Sequence, residues 1–178
     1  MADTQVIFIG GRSGVGKSTV AFAMHDLLSA REIQHAVIEG DCLDLAYPAP
    51  WSHHLAEQNL AAMWTNYRTL GYRRLIYTNT VSILQTDSLI SAIGSVSAVI
   101  SVLLQASDET TERRLGQREQ GASVQLQIDR SMAAAARLDR EAPIDVHRIV
   151  TDGQAPTTLA EHILTLAGST RNPGSNDV

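Results

Sequence analysis

The chain has 178 residues, of which 44% are hydrophobic and 19% are charged, a balance typical of one globular domain with a sizeable core. Its formal net charge of −5 provides no overall basic field for a nucleic-acid backbone, so we expect no long nucleic acid as a partner. The single cysteine excludes an intrachain disulfide and a zinc site built from cysteine pairs. No secretory signal opens the chain, and the apolar stretch 96–104 is too short to span a membrane, which predicts a cytoplasmic protein without a membrane anchor.

Short apolar runs predict five buried strands, with helices between them. The first run, Val-Ile-Phe-Ile, has no polar alternation, which is typical of a parallel sheet covered on both faces. The predicted strands are 6–9, 36–38, 75–78, 99–104 and 147–151. The predicted helices are 16–30, 51–70, 88–93, 108–118, 124–140 and 158–167. Strands that alternate with helices predict an α/β fold with a doubly wound, five-stranded parallel sheet and right-handed crossovers.

The ends of two segments carry further signals. Thr158 and Glu161 have the spacing of a capping box, just after Pro156, and predict the start of the last helix. Residues 168–178 are mostly Gly, Ser, Asn and Pro and predict a disordered tail. With no internal repeat and no linker in the sequence, we expect one domain over residues 1–167.

Residues 11–18 read Gly-Arg-Ser-Gly-Val-Gly-Lys-Ser and match the P-loop pattern G-x-x-x-x-G-K-[ST] in full. A buried strand precedes the motif and an amphipathic helix follows it, which is the context that a phosphate-binding loop requires. Its backbone N–H groups and the helix N-terminus would hold the phosphates of ATP. We expect Lys17 to reach the β- and γ-phosphates, Ser18 to supply a hydroxyl to Mg²⁺, and Thr19 to contact the α-phosphate. The predicted nucleotide-binding residues are Gly11, Arg12, Ser13, Gly14, Val15, Gly16, Lys17, Ser18 and Thr19.

Several classes of P-loop protein lack support in this sequence. Motor-type and AAA-type ATPases need an apolar strand that ends in Asp-Glu, whereas the third strand ends in Thr-Asn and the fourth in Ala-Ser. No Asn-Lys-x-Asp motif follows a strand to read guanine, and the transporter signature Leu-Ser-Gly-Gly is absent. Small kinases remain.

With these features the chain resembles the nucleoside-monophosphate-kinase-like group, which includes gluconate kinase, shikimate kinase, adenylylsulfate kinase and chloramphenicol phosphotransferase. The resemblance covers about residues 5–167, and it singles out no one member. Its sharpest parts are the P-loop, the acid Asp41 after the second strand, and the pair Arg114 and Arg118 after the fourth strand. It implies an ATP-dependent kinase with a helical lid over about residues 119–140.

The resemblance also implies roles for individual residues. The acid after the second strand binds the acceptor hydroxyl or acts as its base, which assigns a catalytic role to Asp41 beside Lys17. One arginine of the pair stacks near adenine and the other contacts the transferring phosphate, so we expect Arg114 to bind nucleotide and Arg118 to be catalytic. The loop 151–154 would wrap around adenine.

The residue types alone leave alternatives open at these positions. An aspartate after a strand is commonly a turn or N-cap residue, and Asp44 and Glu39 are other candidate acids. The arginine pair also suits a solvated helix face. Within the lid, Gly121 is the expected hinge, and Arg130 or Arg137 would reach inward.

An acceptor pocket is expected between the second strand, the helix 51–70 and the end of the third strand. Tyr47 and Trp51, near prolines, are candidates for its aromatic wall, whereas Trp64 and Tyr67 suit the helix core. Arg68 is the only arginine between positions 41 and 70, which disfavours an acceptor with its own phosphate. A sugar, polyol, antibiotic or nucleoside fits better.

Three functions are therefore open. The first is a small-molecule kinase, which Asp41 and the arginine pair favour. The second is an ATP-binding switch or slow ATPase that acts through a protein partner. The third is a nucleotide or polynucleotide kinase, which the net acidity disfavours. A monomer or a homodimer is expected.

Overall fold

The computed structural model describes residues 4–118 and 123–168, and this part of the chain contains one five-stranded sheet. The strands lie in the order β2-β3-β1-β4-β5, and each neighbouring pair is parallel. Their bounds are β1 (Thr4–Gly10), β2 (Ala36–Glu39), β3 (Arg74–Thr78), β4 (Val96–Gln105) and β5 (His147–Val150). The predicted doubly wound α/β fold is confirmed.

Six α-helices connect and cover the strands within the described residues. They are α1 (Lys17–Ala30), α2 (Leu55–Thr69), α3 (Thr86–Ile93), α4 (Asp108–Arg118), α5 (Ser123–Glu141) and α6 (Pro156–Leu166). Single 3₁₀ turns lie at Gly40–Cys42, Trp51–His53 and Ser82–Leu84. None of the described helices is long and apolar enough to cross a membrane.

Two apolar clusters cover the two faces of the sheet. In β1, Ile7 and Ile9 face the helices α1 and α6, whereas Val6 and Phe8 face α2 and α3. This alternation follows from the strand period of two, and because both faces are covered the run is apolar throughout. Trp64 is buried in the second cluster, as expected for a core position of α2.

The start of α6 differs from the prediction. The helix begins at Pro156, with Ala155 as its N-cap, so Thr158 lies inside the first turns and the predicted capping box is wrong. Proline suits the first helical position, because its fixed φ is helical and an N–H there would have no hydrogen-bond partner within the helix. Glu161 instead accepts two hydrogen bonds from Arg31, the C-cap residue of α1, at 2.6 and 2.8 Å.

The predicted helix 51–70 is divided. The 3₁₀ turn Trp51–His53 ends at His54, whose φ of 51° is left-handed and interrupts the helix before Leu55. At the other end the helix is capped by Leu70, and Gly71 follows with a φ of 91°, which confirms it as the stop. The predicted tail from residue 169 onward and the hinge Gly121 lie outside the described residues.

The packing of α1 can be tested with two leucines of the same size. Leu28 is fully buried between α1 and the sheet, so Leu28→Ala should lower the free energy of unfolding by about 3 kcal/mol, through lost burial and the cavity left behind. Leu70 is exposed, and Leu70→Ala should change it by less than about 0.5 kcal/mol. Urea denaturation measures both, and equal effects would contradict the described core.

Candidate active site

The chain reverses sharply between β1 and α1, and glycine permits it. Gly11 has a φ of 143°, and a Cβ there would lie 2.7 Å from the carbonyl oxygen of Leu104 at the end of β4. Gly14 has a φ of 81°, and a Cβ there would lie 3.0 Å from the carbonyl oxygen of Thr111 in α4. The loop therefore fits closely between β4 and α4, in a backbone shape that only glycine adopts without strain. This shape suits a cradle of N–H groups for phosphate.

Lys17 folds back over this loop. It is the first residue of α1 and is mostly buried, and its Nζ donates to the carbonyl oxygens of Gly11 at 2.9 Å and Arg12 at 3.4 Å. The hydroxyl of Thr80, in the loop after β3, lies 3.5 Å from the same nitrogen. Ser18 is half-buried in the next position of α1, and Thr19 is exposed. The ammonium group is thus held at the carboxyl edge of the sheet.

Asp41 lies at the same edge, in the 3₁₀ turn after β2. Its Oδ1 accepts a hydrogen bond from the backbone N–H of Thr80 at 3.1 Å, and its Oδ2 lies 3.9 Å from Lys17 Nζ. Asp41 lies inside that turn, whose N-cap is Glu39 and makes no side-chain capping hydrogen bond. Among the other acids considered, Asp44 lines the neighbouring cleft, and Glu39 is not part of its wall. The structure therefore brings Lys17, Asp41 and Thr80 together.

Arg114 joins α4 to the P-loop. Its Nη1 donates to the carbonyl oxygen of Val15 at 3.0 Å and to the hydroxyl of Thr151, after β5, at 3.2 Å. Thr151 in turn donates to Val15 at 3.1 Å. The guanidinium group thus lies beside the phosphate-binding loop. The side chain of Arg118 lies outside the described residues.

Arg12 has an arrangement that the sequence did not indicate. Its side chain is only 5% exposed and contacts α4 and α5. Its Nε donates to the hydroxyl of Ser131 in α5 at 2.9 Å, its Nη1 forms an ion pair with Asp108 at the start of α4, and its Nη2 is buried without a partner among the described residues. Ser131 also donates to the carbonyl oxygen of Ser13 at 2.8 Å. We call Arg12, Asp108 and Ser131 the Arg12 cluster. It ties the P-loop to α4 and α5.

A cleft of about 750 Å³ opens beside Asp41, where the acceptor pocket was expected. Its wall comes from the loop after β2, the start of α2, the loop after β3 and the side of α5. Trp51 lines it although 75% of the residue is exposed, whereas Tyr47 is fully exposed and lies outside the wall. Arg137 of α5 also lines the cleft, whereas Arg130 is exposed and is not part of the wall.

Tyr77 of β3 also lines the cleft, and sequence reasoning did not single it out. The residue is 1% exposed, and its ring packs edge-on against Phe8. Burial raises the pKa of the Tyr77 hydroxyl well above its ordinary value, and the nearby carboxylates Asp41, Glu57 and Asp44 raise it further. The hydroxyl therefore stays protonated and faces negative charge.

The described residues contain no cluster of three or more side chains suited to hold a metal by themselves. His54 lies at the cleft, where its Nδ1 is 3.7 Å from Glu57, and adds a polar group to the wall. Magnesium in P-loop proteins is bound jointly by a loop hydroxyl and by the nucleotide phosphates, so this absence is consistent with the position of Ser18.

The comparisons with known proteins agree with this geometry. The family model of adenylylsulphate kinase matches residues 3–61, which include the P-loop and Asp41. No curated protein matches the sequence. Among solved structures, a sugar kinase from Janibacter is 20% identical with a TM-score of 0.65, covering 97% of this chain and 99% of that one.

Two further structures are similar along nearly their whole length. The tunicamycin resistance protein of Deinococcus radiodurans is 21% identical with a TM-score of 0.62, covering 93% of this chain and 96% of that one. The adenylylsulfate kinase of Mycobacterium tuberculosis, solved with AMPPNP and adenylylsulfate, is 19% identical with a TM-score of 0.59, covering 94% and 99%. The chain therefore has the fold of the P-loop small-molecule kinases, and the resemblance predicted from the sequence is confirmed.

The turn that carries Asp41 can be tested at Gly40. A Cβ there would lie 2.2 Å from the Tyr77 hydroxyl and 2.9 Å from the carbonyl oxygen of Thr78, so Gly40→Ala should lower the free energy of unfolding by about 1–3 kcal/mol. Gly116 in α4 is the control, because a Cβ there meets no atom within 4 Å. Gly116→Ala should be neutral or stabilise by up to about 1 kcal/mol, since alanine favours the helix. Thermal and urea unfolding measure both, and a neutral Gly40→Ala would contradict the close contact.

The loop after β5 gives a prediction about pH. Asp152 accepts hydrogen bonds from the N–H and the hydroxyl of Ser107, at 3.0 and 2.6 Å, and these bonds lower its pKa from 3.8 to about 2. A lowered pKa means that the stabilisation is present above pH 3.8 and is lost as the pH falls through about 2.

Asp152→Asn should therefore have a lower free energy of unfolding than the unchanged protein at pH 7. The difference between the two free energies should shrink as the pH falls toward 2. Urea denaturation at several pH values measures it. Asp145→Asn is the control, because Asp145 is exposed and forms no ion pair or side-chain hydrogen bond within the described part of the chain. A difference that grows on acidification would contradict the assignment.

Proposed function

We propose that this protein is an ATP-dependent phosphotransferase that moves the γ-phosphoryl group to a hydroxyl of a small molecule. The observation that carries the proposal is the position of Asp41. Its carboxylate lies 3.9 Å from Lys17 Nζ on one side and borders a cleft of about 750 Å³ on the other. A donor phosphate on the P-loop and an acceptor in the cleft would therefore meet at this carboxylate.

The reaction assigns a task to each group. The loop N–H groups and Lys17 would bind the β- and γ-phosphates, and Ser18 would hold the Mg²⁺ that neutralises their charge. Asp41 would accept a hydrogen bond from the acceptor hydroxyl and orient its oxygen toward the γ-phosphorus. As the new P–O bond forms, the bond to the β-phosphate oxygen breaks, ADP leaves, and the hydroxyl proton passes to Asp41. The transition state is loose, so positioning contributes more than base strength.

The arginines complete the proposed site. Arg114 already contacts the loop carbonyl of Val15 and would hold the P-loop from the side of α4, next to the bound nucleotide. Arg118 follows it by one helical turn and would stabilise the charge on the transferring phosphoryl group. Thr19 is exposed at the start of α1 and would contact the α-phosphate.

The cleft also bears on the type of acceptor. Its wall contains three carboxylates, Asp41, Asp44 and Glu57, and one arginine, Arg137. A polynucleotide would bring a row of phosphates to this wall and would be repelled. A partner-binding switch would need neither an enclosed cleft nor a carboxylate beside the phosphate-binding lysine. A small molecule without a phosphate suits the cleft better.

The test is a panel of sugars, polyols, nucleosides, amino sugars and antibiotics with ATP and Mg²⁺, with mass detection of the products. A phosphorylated acceptor would establish the function. Release of ADP without any phosphorylated compound would instead indicate an ATPase or a switch.

Once an acceptor is found, two substitutions test whether Lys17 and Asp41 take part in phosphoryl transfer. Lys17→Ala should abolish transfer, and Asp41→Asn should retain ATP binding but lower kcat by about 10²-fold, because the hydroxyl loses its proton acceptor. Asp26→Asn, at an exposed position of α1, is the control and should leave turnover unchanged. Equal loss of ATP binding and transfer in Asp41→Asn would refute the role of Asp41 toward the acceptor.

A further inference from the structure

The charges of the cleft beside Asp41 are unbalanced. Three carboxylates line it from different segments: Asp41 and Asp44 from the loop after β2, and Glu57 from the first turn of α2. Asp41 has Lys17 as a neighbour at 3.9 Å. Asp44 forms no ion pair or side-chain hydrogen bond within the described ranges, and Glu57 has only His54, at 3.7 Å. Two carboxylates of the wall thus lack a strong cationic partner.

The arginine of the cleft wall does not neutralise the charges of Asp44 and Glu57. Arg137 of α5 donates through its Nε to Glu141 at 2.9 Å, one helical turn further on. Glu141 also accepts a hydrogen bond from Arg140 at 2.8 Å. Arg137 is therefore already paired with a carboxylate outside the cleft, and the wall keeps a negative charge.

A second feature indicates a polar ligand independently of these charges. Tyr77 lines the cleft and is almost fully buried, yet its hydroxyl forms no hydrogen bond with any residue in the described part of the chain. Because this side chain is 1% exposed and lines the cleft, its hydroxyl is placed to hydrogen-bond a ligand that brings its own polar group. Because the phenol remains protonated beside three carboxylates, it can donate to a ligand oxygen.

The charge of the ligand follows from its surroundings. A carboxylate, sulfate or phosphate on the acceptor would face Asp41, Asp44 and Glu57 in a partly enclosed space, which is unfavourable. A neutral acceptor would leave Asp44 and Glu57 uncompensated while it displaced their water. A protonated amine would form charge-assisted hydrogen bonds with both. Trp51 also lines the cleft, and an indole ring can make a cation–π contact with such an amine.

We propose that the acceptor is a small hydroxyl compound that carries a protonated amine, as an amino sugar or aminocyclitol does. Asp44 and Glu57 bind the amine, Tyr77 hydrogen-bonds an oxygen of the acceptor, and Asp41 receives the hydroxyl that is phosphorylated. This inference rests on the proposed phosphotransferase function and specifies the class of its substrate.

The experiment offers each acceptor skeleton in four forms: the free amine, its N-acetylated derivative, the compound without the amine, and the corresponding carboxylic acid. Glucosamine, N-acetylglucosamine, glucose and glucuronic acid are one such set, and an aminocyclitol with matched derivatives is another. We expect kcat/KM for the amine to exceed that for the N-acetylated form by about tenfold or more, because the charge-assisted hydrogen bonds are lost on acetylation. The acid should be the poorest acceptor.

Substitutions of the carboxylates test which of them bind the amine of the acceptor. Asp44→Asn and Glu57→Gln should each lower kcat/KM for the amine, mainly by raising KM, so that its advantage over the N-acetylated form falls. Tyr77→Phe should lower kcat/KM for both forms alike, because it removes a hydrogen bond that does not depend on the amine. Glu112→Gln, at an exposed position of α4, is the matched control and should leave the ratio unchanged.

The outcomes separate this inference from the proposed function. Phosphorylation of neutral or acidic acceptors in preference to amines would overturn the inference and keep the kinase. The inference would also be overturned, and the kinase function kept, if Asp44→Asn and Glu57→Gln both leave unchanged the ratio of kcat/KM for the amine to kcat/KM for the N-acetylated form. If no compound of any charge is phosphorylated, while the unchanged protein binds ATP and Lys17→Ala does not, both proposals are wrong.

Discussion

The arrangement of the site depends on the reversal of the chain at Gly11. The loop passes so close to the end of β4 that a single methyl group would meet a backbone oxygen. Six residues further on, Lys17 is the first residue of α1. The lysine then donates back to the carbonyl of Gly11. The carbonyl oxygens of the loop thus hold an ammonium group that would otherwise move on its flexible side chain.

The strand order extends this arrangement to the acceptor side. Because β3 lies between β1 and β2, Asp41 at the end of β2 is separated from Lys17 by the width of one strand. Thr80, in the loop after β3, fills that gap, since its backbone N–H holds Asp41 and its hydroxyl lies near Lys17. The cleft opens beyond Asp41. The edge of a parallel sheet thus brings together groups that are far apart along the chain.

Sequence reasoning predicted the sheet, the helices and the phosphate loop because each has a local signal. The apolar run of β1 and the glycine spacing of the loop need only neighbouring residues to be recognised. It failed where the deciding contacts are distant, as at the start of α6, where Pro156 rather than Thr158 begins the helix and Glu161 pairs with Arg31.

The same limit applies within the site. Tyr77 looked like an ordinary strand residue, and only the neighbouring turn at Gly40 and the three carboxylates distinguish its hydroxyl. Arg12 matched a motif position that tolerates many residues, and its partners lie 96 and 119 residues away. No local pattern could have indicated either contact. The placement of Asp41, by contrast, could be anticipated from its position directly after a strand.

The Arg12 cluster has a consequence for how sequences of this kind can diverge. A guanidinium group that is 95% buried is tolerated only while Asp108 and Ser131 remain to satisfy it. Loss of Asp108 alone would leave the buried charge without its ion pair, and loss of Ser131 alone would leave Arg12 Nε without its hydrogen-bond acceptor. An uncharged residue at position 12 would remove the need for both partners. Positions 12, 108 and 131 should therefore covary among related sequences, although they lie in three separate segments.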